Sequence, residues 1–183
     1  DIDQEIFSNF ISPPGVHSIF ALPRDLVSLI NQQFKKTEFM CQTTSFLGHI
    51  VHQKYAFDKS AIYVGLNNGF FDVACTGDGK LKLYNTFQYA NENDLLYYVV
   101  FVCNQLGFDT QTIPLYLSGE QSSKLSYYEI LKQFLPETSY DEATGIPELS
   151  SGLKQLGTTR FLNLLNLQMC ASSAELTGAE RSK

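Results

Sequence analysis

The stretch Ala61-Ile62-Tyr63-Val64-Gly65-Leu66-Asn67-Asn68-Gly69-Phe70-Phe71-Asp72-Val73-Ala74-Cys75-Thr76-Gly77-Asp78-Gly79-Lys80-Leu81-Lys82-Leu83 decides the fold. Two turn signals, Asn67-Asn68-Gly69 and Gly77-Asp78-Gly79, interrupt runs rich in β-branched and aromatic residues. Asn and Gly tolerate the positive φ that tight hairpins demand. The spacing predicts strands over 61–66, 70–76 and 80–88, paired as an antiparallel meander. Ile62, Val64, Val73, Leu81 and Leu83 are expected to be buried together, because a sheet covered by a helix must hide one face.

Downstream, Asn91 reads as a helix cap, with Glu92 and Asp94 in a first turn where the helix dipole favours acids. The helix is expected to run to Leu106, with Gly107 as its natural terminator. Ile113 to Leu117 reads as a buried strand, Ser118 to Ser123 as a polar loop, and Lys124 to Phe134 as an amphipathic helix stopped by Pro136. A short strand near Ser139 to Ala143 and a helix over Thr158 to Leu167 follow. The small, polar tail 171–183 is expected to be mobile.

Upstream, Ser12-Pro13-Pro14-Gly15 is a turn. Val16 to Leu22 suits a strand, Pro23 a first-turn helix position, and Leu26, Val27, Leu29, Ile30 and Phe34 recur at helical spacing. A strand over Phe39 to Thr43 and a helix from Ser45 to about Lys54 complete a β-α-β-α piece. It carries too little core to stand alone and reads as the tail of a preceding domain. The sequence opens at Asp1 rather than Met, and its natural start is expected to lie upstream.

Three meandering strands, a helix, a strand and a helix give an α/β chain in the RNase H-like order. That order also builds each half of the actin-like ATPase group, and it does not by itself confer function.

Composition excludes several classes. The net charge of −6 argues against a nucleic-acid partner, which would need a cationic footprint. Lys35-Lys36 is the only adjacent basic pair. The longest apolar run, Leu95 to Cys103, is about half the length of a membrane span. Cys41, Cys75, Cys103 and Cys170 lack metal-ligand spacing and sit among apolar neighbours, the pattern of reduced thiols in a cytosolic protein.

The chemistry that this fold order could host is largely missing. Actin-like ATPases carry on their first hairpin a motif resembling Asp-x-Gly-Gly-Gly-Thr-Thr-Asp-Val, whose acid organises metal and water and whose glycines admit phosphate. Here the same place reads Gly65-Leu66-Asn67-Asn68-Gly69-Phe70-Phe71-Asp72-Val73. Gly65 replaces the acid, Phe70 and Phe71 replace the hydroxyls, and of the positions that carry chemistry only Gly69 and Asp72 match. Leu115-Tyr116-Leu117-Ser118-Gly119-Glu120 resembles the adenosine motif with one glycine changed to Ser118. Gly69, Asp72 and Gly119 are therefore the candidate, degenerate nucleotide positions. A plain hairpin and a plain strand-to-helix loop are the competing readings.

An RNase H-type nuclease needs an acid on the first strand as well. Asp94 and Glu120 could fill the other two places, but Ala61 to Leu66 has none. His49 and His52 share a predicted helix face, yet no nearby Cys, Asp or Glu completes a metal site, so both are expected at the surface. No Gly-x-Ser-x-Gly elbow occurs. No catalytic residue, metal site or cofactor is assigned.

The sequence resembles an uncharacterised bacterial family, the domain of unknown function 3822. The resemblance rests on Phe70 to Asp94, including Lys80-Leu81-Lys82-Leu83-Tyr84-Asn85-Thr86-Phe87, on Asn93-Asp94-Leu95-Leu96-Tyr97-Tyr98, and on Ile19-Phe20-Ala21-Leu22-Pro23. It implies an actin-like ATPase fold of two RNase H-like halves, with no established activity. By that resemblance 1–57 ends the first half, 58–170 is the second, and the strands bearing the other phosphate loop are outside this sequence.

By analogy with pilus-assembly proteins of this fold, the expected role is non-catalytic and works through a protein partner or self-association. The alternative is a divergent ATPase whose catalytic residues lie in the missing half. Helix 91–106 is apolar around most of its girth, so a contact patch is expected among Phe7, Phe10, Phe20, Tyr97, Tyr98 and Phe101. The competing outcome is that Ser150 to Cys170 folds over that helix and hides it.

Overall fold

The computed structural model describes residues 3–12, 15–53, 57–141 and 158–167. Its centre is a five-stranded mixed sheet built on the quoted stretch. Strands β3 (Ala61–Leu66), β4 (Phe70–Gly77) and β5 (Lys80–Gln88) form the expected meander, and β6 (Leu115–Ser118) and β7 (Thr138–Tyr140) extend it in the order β5-β4-β3-β6-β7. β6 runs parallel to β3, and β7 parallel to β6. The crossovers are α3 (Glu92–Leu106) and, after a 3-10 turn at Glu120–Ser123, α4 (Leu125–Phe134).

Both ends of α3 follow their local chemistry. The Asn91 side chain accepts from the Asn93 and Asp94 amides at 2.9 and 3.2 Å. Gly107 takes the left-handed conformation, φ 68°, that ends the helix.

The sheet is covered on both faces, so β3 is buried at every position. On one face Ile62, Val64, Leu66, Phe71, Val73 and Leu117 pack with α3 and α4 residues such as Val99 and Leu131. On the other, Ala61, Tyr63 and Ala74 meet Phe46, Leu47 and Ile50 of α2 (Gln42–His52), and Ile11 joins them.

Leu81 and Leu83 do not share a face as alternation predicts. Cys75 pairs with Leu83 and Thr76 with Leu81, which leaves Lys82 as a bulge. The extra residue turns Leu81 to the α2 side, while Leu83 stays with the α3 side.

The opening piece differs more. Gln4–Ile11 is a strand, β1, paired over its whole length with β2 (Val16–Pro23) as a separate antiparallel hairpin. Pro23 ends β2 instead of opening the helix, and α1 (Arg24–Gln33) follows at once. Phe39 to Cys41 forms no ladder, because a side chain occupies its polar groups: Asn9 donates to the Phe39 carbonyl and accepts from the Cys41 amide, each at 3.0 Å. The order is therefore β-β-α-α rather than β-α-β-α.

At the other end Thr158–Phe161 is a 3-10 turn running into a helical segment, 162–167. It packs near Glu120–Ser123 and β6 and leaves Tyr97 and Phe101 of α3 exposed. The tail 171–183 lies outside the described residues.

Candidate functional site

Gly65 faces Asp72 across β3 and β4, and it faces Ser118 across β3 and β6. Asp72, Gly65 and Ser118 thus lie along one row of the sheet, with Gly119 just beyond its end and Gly69 apart at the hairpin tip. Each is engaged by the protein itself.

Gly65 is where α2 rests on the sheet. A Cβ there would come within 2.9 Å of the Phe46 ring, whose side chain is 1% exposed. The glycine that stands in place of the motif's acid is thereby accounted for by packing: a carboxylate would displace Phe46.

Asp72 is buried and accepts from three side chains. One carboxylate oxygen accepts from Gln42 Nε2 at 2.7 Å, and the other from Tyr84 OH at 2.8 Å and Thr86 Oγ1 at 2.7 Å. Thr43 Oγ1 lies 2.9 Å from the same phenol. Burial pushes the Tyr84 phenol up to about 12; the threonine hydrogen bonds act the other way, and the Asp72 carboxylate adds to the rise. Three donors hold this acid as the centre of a network joining α2, β4 and β5.

Gly69 occupies the hairpin tip with φ 80°, and no atom lies within 4 Å of where its Cβ would be. The tip is tied down by Tyr89, whose amide donates to the Gly69 carbonyl at 3.1 Å and whose hydroxyl donates to Asn67 O at 2.7 Å. Gly119, φ 96°, touches backbone: a Cβ would stand 2.4 Å from the Leu66 carbonyl oxygen. Its amide donates to Thr159 O at 3.0 Å, and its carbonyl accepts from Ser122 Oγ at 2.7 Å. The backbone groups that a nucleotide would need at Gly119 are used internally.

The nuclease candidates stay apart in role. Asp94 accepts from the Ala90 amide and the Asn91 side chain, at 2.9 and 3.2 Å, as a cap residue does. Glu120 is exposed. No cluster of three metal-ligating side chains occurs among the described residues.

One group escaped the sequence. His49 is not at the surface: it is 2% exposed, and its Nε2 lies 3.0 Å from Asp141 Oδ2. Gln53, one helical turn on, donates to Asp141 Oδ1 at 2.8 Å. Tyr63 packs nearby, stacked on Tyr116, and burial raises its phenol pKa well above the ordinary value, with Tyr116 and Asp141 adding to the effect. His52 is exposed, as expected. The i, i+4 pair His49 and Gln53 was the one signal available.

The sheet order and its two covered faces define a protein with the actin-like ATPase fold. A crystal structure from Bacteroides thetaiotaomicron VPI-5482, of a protein with that fold and unknown function, is similar with a TM-score of 0.73 and 20% identity. The match covers 91% of this chain and 59% of that one, so this chain spans well under two thirds of its neighbour. The ethanolamine utilization protein EutJ from Carboxydothermus hydrogenoformans gives a TM-score of 0.43 at 10% identity, over 68% of this chain and 52% of the other. No curated protein matches the sequence. The chain itself belongs to the family described as a protein of unknown function (DUF3822), which matches residues 3–138.

Proposed function

We propose that the protein is a non-catalytic member of the actin-like group that works through contacts with a protein partner or a second copy of itself. The observation that carries this is Asp72: the surviving acid of the phosphate hairpin is buried and accepts from three side chains of α2 and β5, so organising metal or water there would mean breaking that network. Gly69, Asp72 and Gly119 are in this view relics of nucleotide motifs, now used for packing. Residues to about Phe57 would end a first half and Asp58 onward would form the second.

A contact role is supported by the outer face of the β1–β2 hairpin, where Ile6 is 74% and Ile19 71% exposed beside Phe10. No helix among the described residues is long and apolar enough to cross a membrane. Free Cys41, Cys75 and Cys103 favour a reducing, cytosolic setting.

Calorimetric titration with Mg-ATP tests the proposal. No saturable heat is expected below millimolar nucleotide. Micromolar affinity would overturn it in favour of a divergent ATPase with its catalytic residues beyond this sequence.

A further inference from the structure

Helix α2 is attached to its surroundings at each successive turn. Before its first turn, Asn9 of β1 accepts from the Cys41 amide and from Thr44 Oγ1, both at 3.0 Å. In the first turn Gln42 donates to buried Asp72, and Thr43 meets Tyr84. In the second, Ser45 Oγ donates to the Asn163 carbonyl and Phe46 lies on Gly65. At the end, His49 and Gln53 both engage buried Asp141, which directly follows β7.

A hinge helix needs the reverse arrangement, few contacts at the ends that absorb a rotation. Polar groups buried this way are costly to separate, because opening strands an acid without its donors. The small apolar cluster points the same way, since Ile11 of β1 and Ala61, Tyr63 and Ala74 of the five-stranded sheet share Phe46, Leu47 and Ile50.

We propose that α2 is a fixed bolt, keyed to the five-stranded sheet at its two ends by Asp72 and Asp141 and to the β1–β2 hairpin by Asn9 and Ile11, so that hairpin and sheet move as one body. A cleft at this junction would then not open and close about α2. This holds whether or not the protein takes a nucleotide, so it stands apart from the proposal above.

Native-state hydrogen exchange on the whole chain tests it. In the wild type, α2 amides from Leu47 to Val51 should exchange in the same opening event as Val64 and Val73. Gln42→Leu combined with Gln53→Leu removes one donor at each key without touching the carboxylates. In that variant α2 should exchange at least about tenfold faster than β3, because each lost bond is to a charged group. Asp141→Asn should loosen the C-terminal turn alone; the glutamine pair carries the test should that variant not fold. Wild-type α2 already exchanging tenfold faster than β3 would overturn the proposal. So would α2 protection that stays equal to β3 in the glutamine variant.

Discussion

His49 and Asp141 are 92 residues apart in sequence, and their side chains meet at 3.0 Å with only 2% and 4% of their surfaces exposed. The pair ties the last turn of α2 to the edge of the sheet at β7. Both partners come from segments whose local pattern says nothing of the other.

Breaking such a pair costs more than removing it. His49→Leu leaves the Asp141 carboxylate buried with Gln53 as its remaining partner, and about 3 kcal/mol of stability should be lost. The double variant His49→Leu, Asp141→Leu should recover a large part of that loss. Urea unfolding of the single and double variants measures both. Additive losses would show that the two side chains are not coupled.

The same contrast explains what was legible in the sequence. The meander could be read because its turns, Asn67-Asn68-Gly69 and Gly77-Asp78-Gly79, are local signals, and α3 because Asn91 and Gly107 mark its ends. β1 was not, since Ile6, Phe7, Phe10 and Ile11 sit at helix-like spacing although alternate residues face opposite ways. Leu81 was misplaced by a bulge that no residue type announces. At the site, the loss of the motif's acid at Gly65 was visible, whereas the ring that fills its place, Phe46 from another element, appears only in three dimensions. The polar network around Asp72 is likewise long-range, joining residues 30 and 12 positions away.

Gly119 and Gly69 separate two costs of replacing a glycine. At Gly69 only the positive φ opposes a side chain, so Gly69→Ala should cost about 1–2 kcal/mol. At Gly119 the φ is also positive, and the Cβ would in addition drive into the Leu66 backbone, which cannot swing aside. Gly119→Ala should therefore cost about 3 kcal/mol or more. Denaturation midpoints give the comparison; equal losses would mean that the Gly119 loop moves away freely.

Alkaline pH should destabilise the fold through buried acids that must stay neutral. Burial pushes Cys75 from its ordinary 9.0 up to about 12 and Cys103 up to about 11. Tyr84 and Tyr89 rise from 10.0 to about 12. A folded pKa above the unfolded one means that the stability is fully present below the unfolded value and lost as pH rises through the folded one. Thermal midpoints should accordingly hold to about pH 9 and fall between there and pH 12. At pH 8, maleimide should label Cys41, which is half-buried, well before Cys75 and Cys103. Equal labelling of the three thiols would show that α3 and β4 open readily.

The exposed face of the β1–β2 hairpin gives the most direct test of a contact role. In the register Ile6 stands opposite Ala21 and Ser8 opposite Ile19, so Ile6 and Ile19 are diagonal neighbours on the same outward side. Phe10 lies on that side too, against His17, while Phe7 and Phe20 stack on the inner side. Because Ile6 and Ile19 are largely in water, Ile6→Lys with Ile19→Lys should change folding stability by no more than about 1 kcal/mol. The wild type should scatter light increasingly with concentration as outward faces meet. The lysine variant should remain monomeric, since paired faces would bring like charges together. Tyr97→Lys on α3, 64% exposed in the wild type, is the control on the other aromatic patch that the sequence suggested. Association abolished by Tyr97→Lys and not by the hairpin lysines would move the contact surface to α3. A wild type that stays monomeric at every concentration would remove self-association and leave a different protein as the partner.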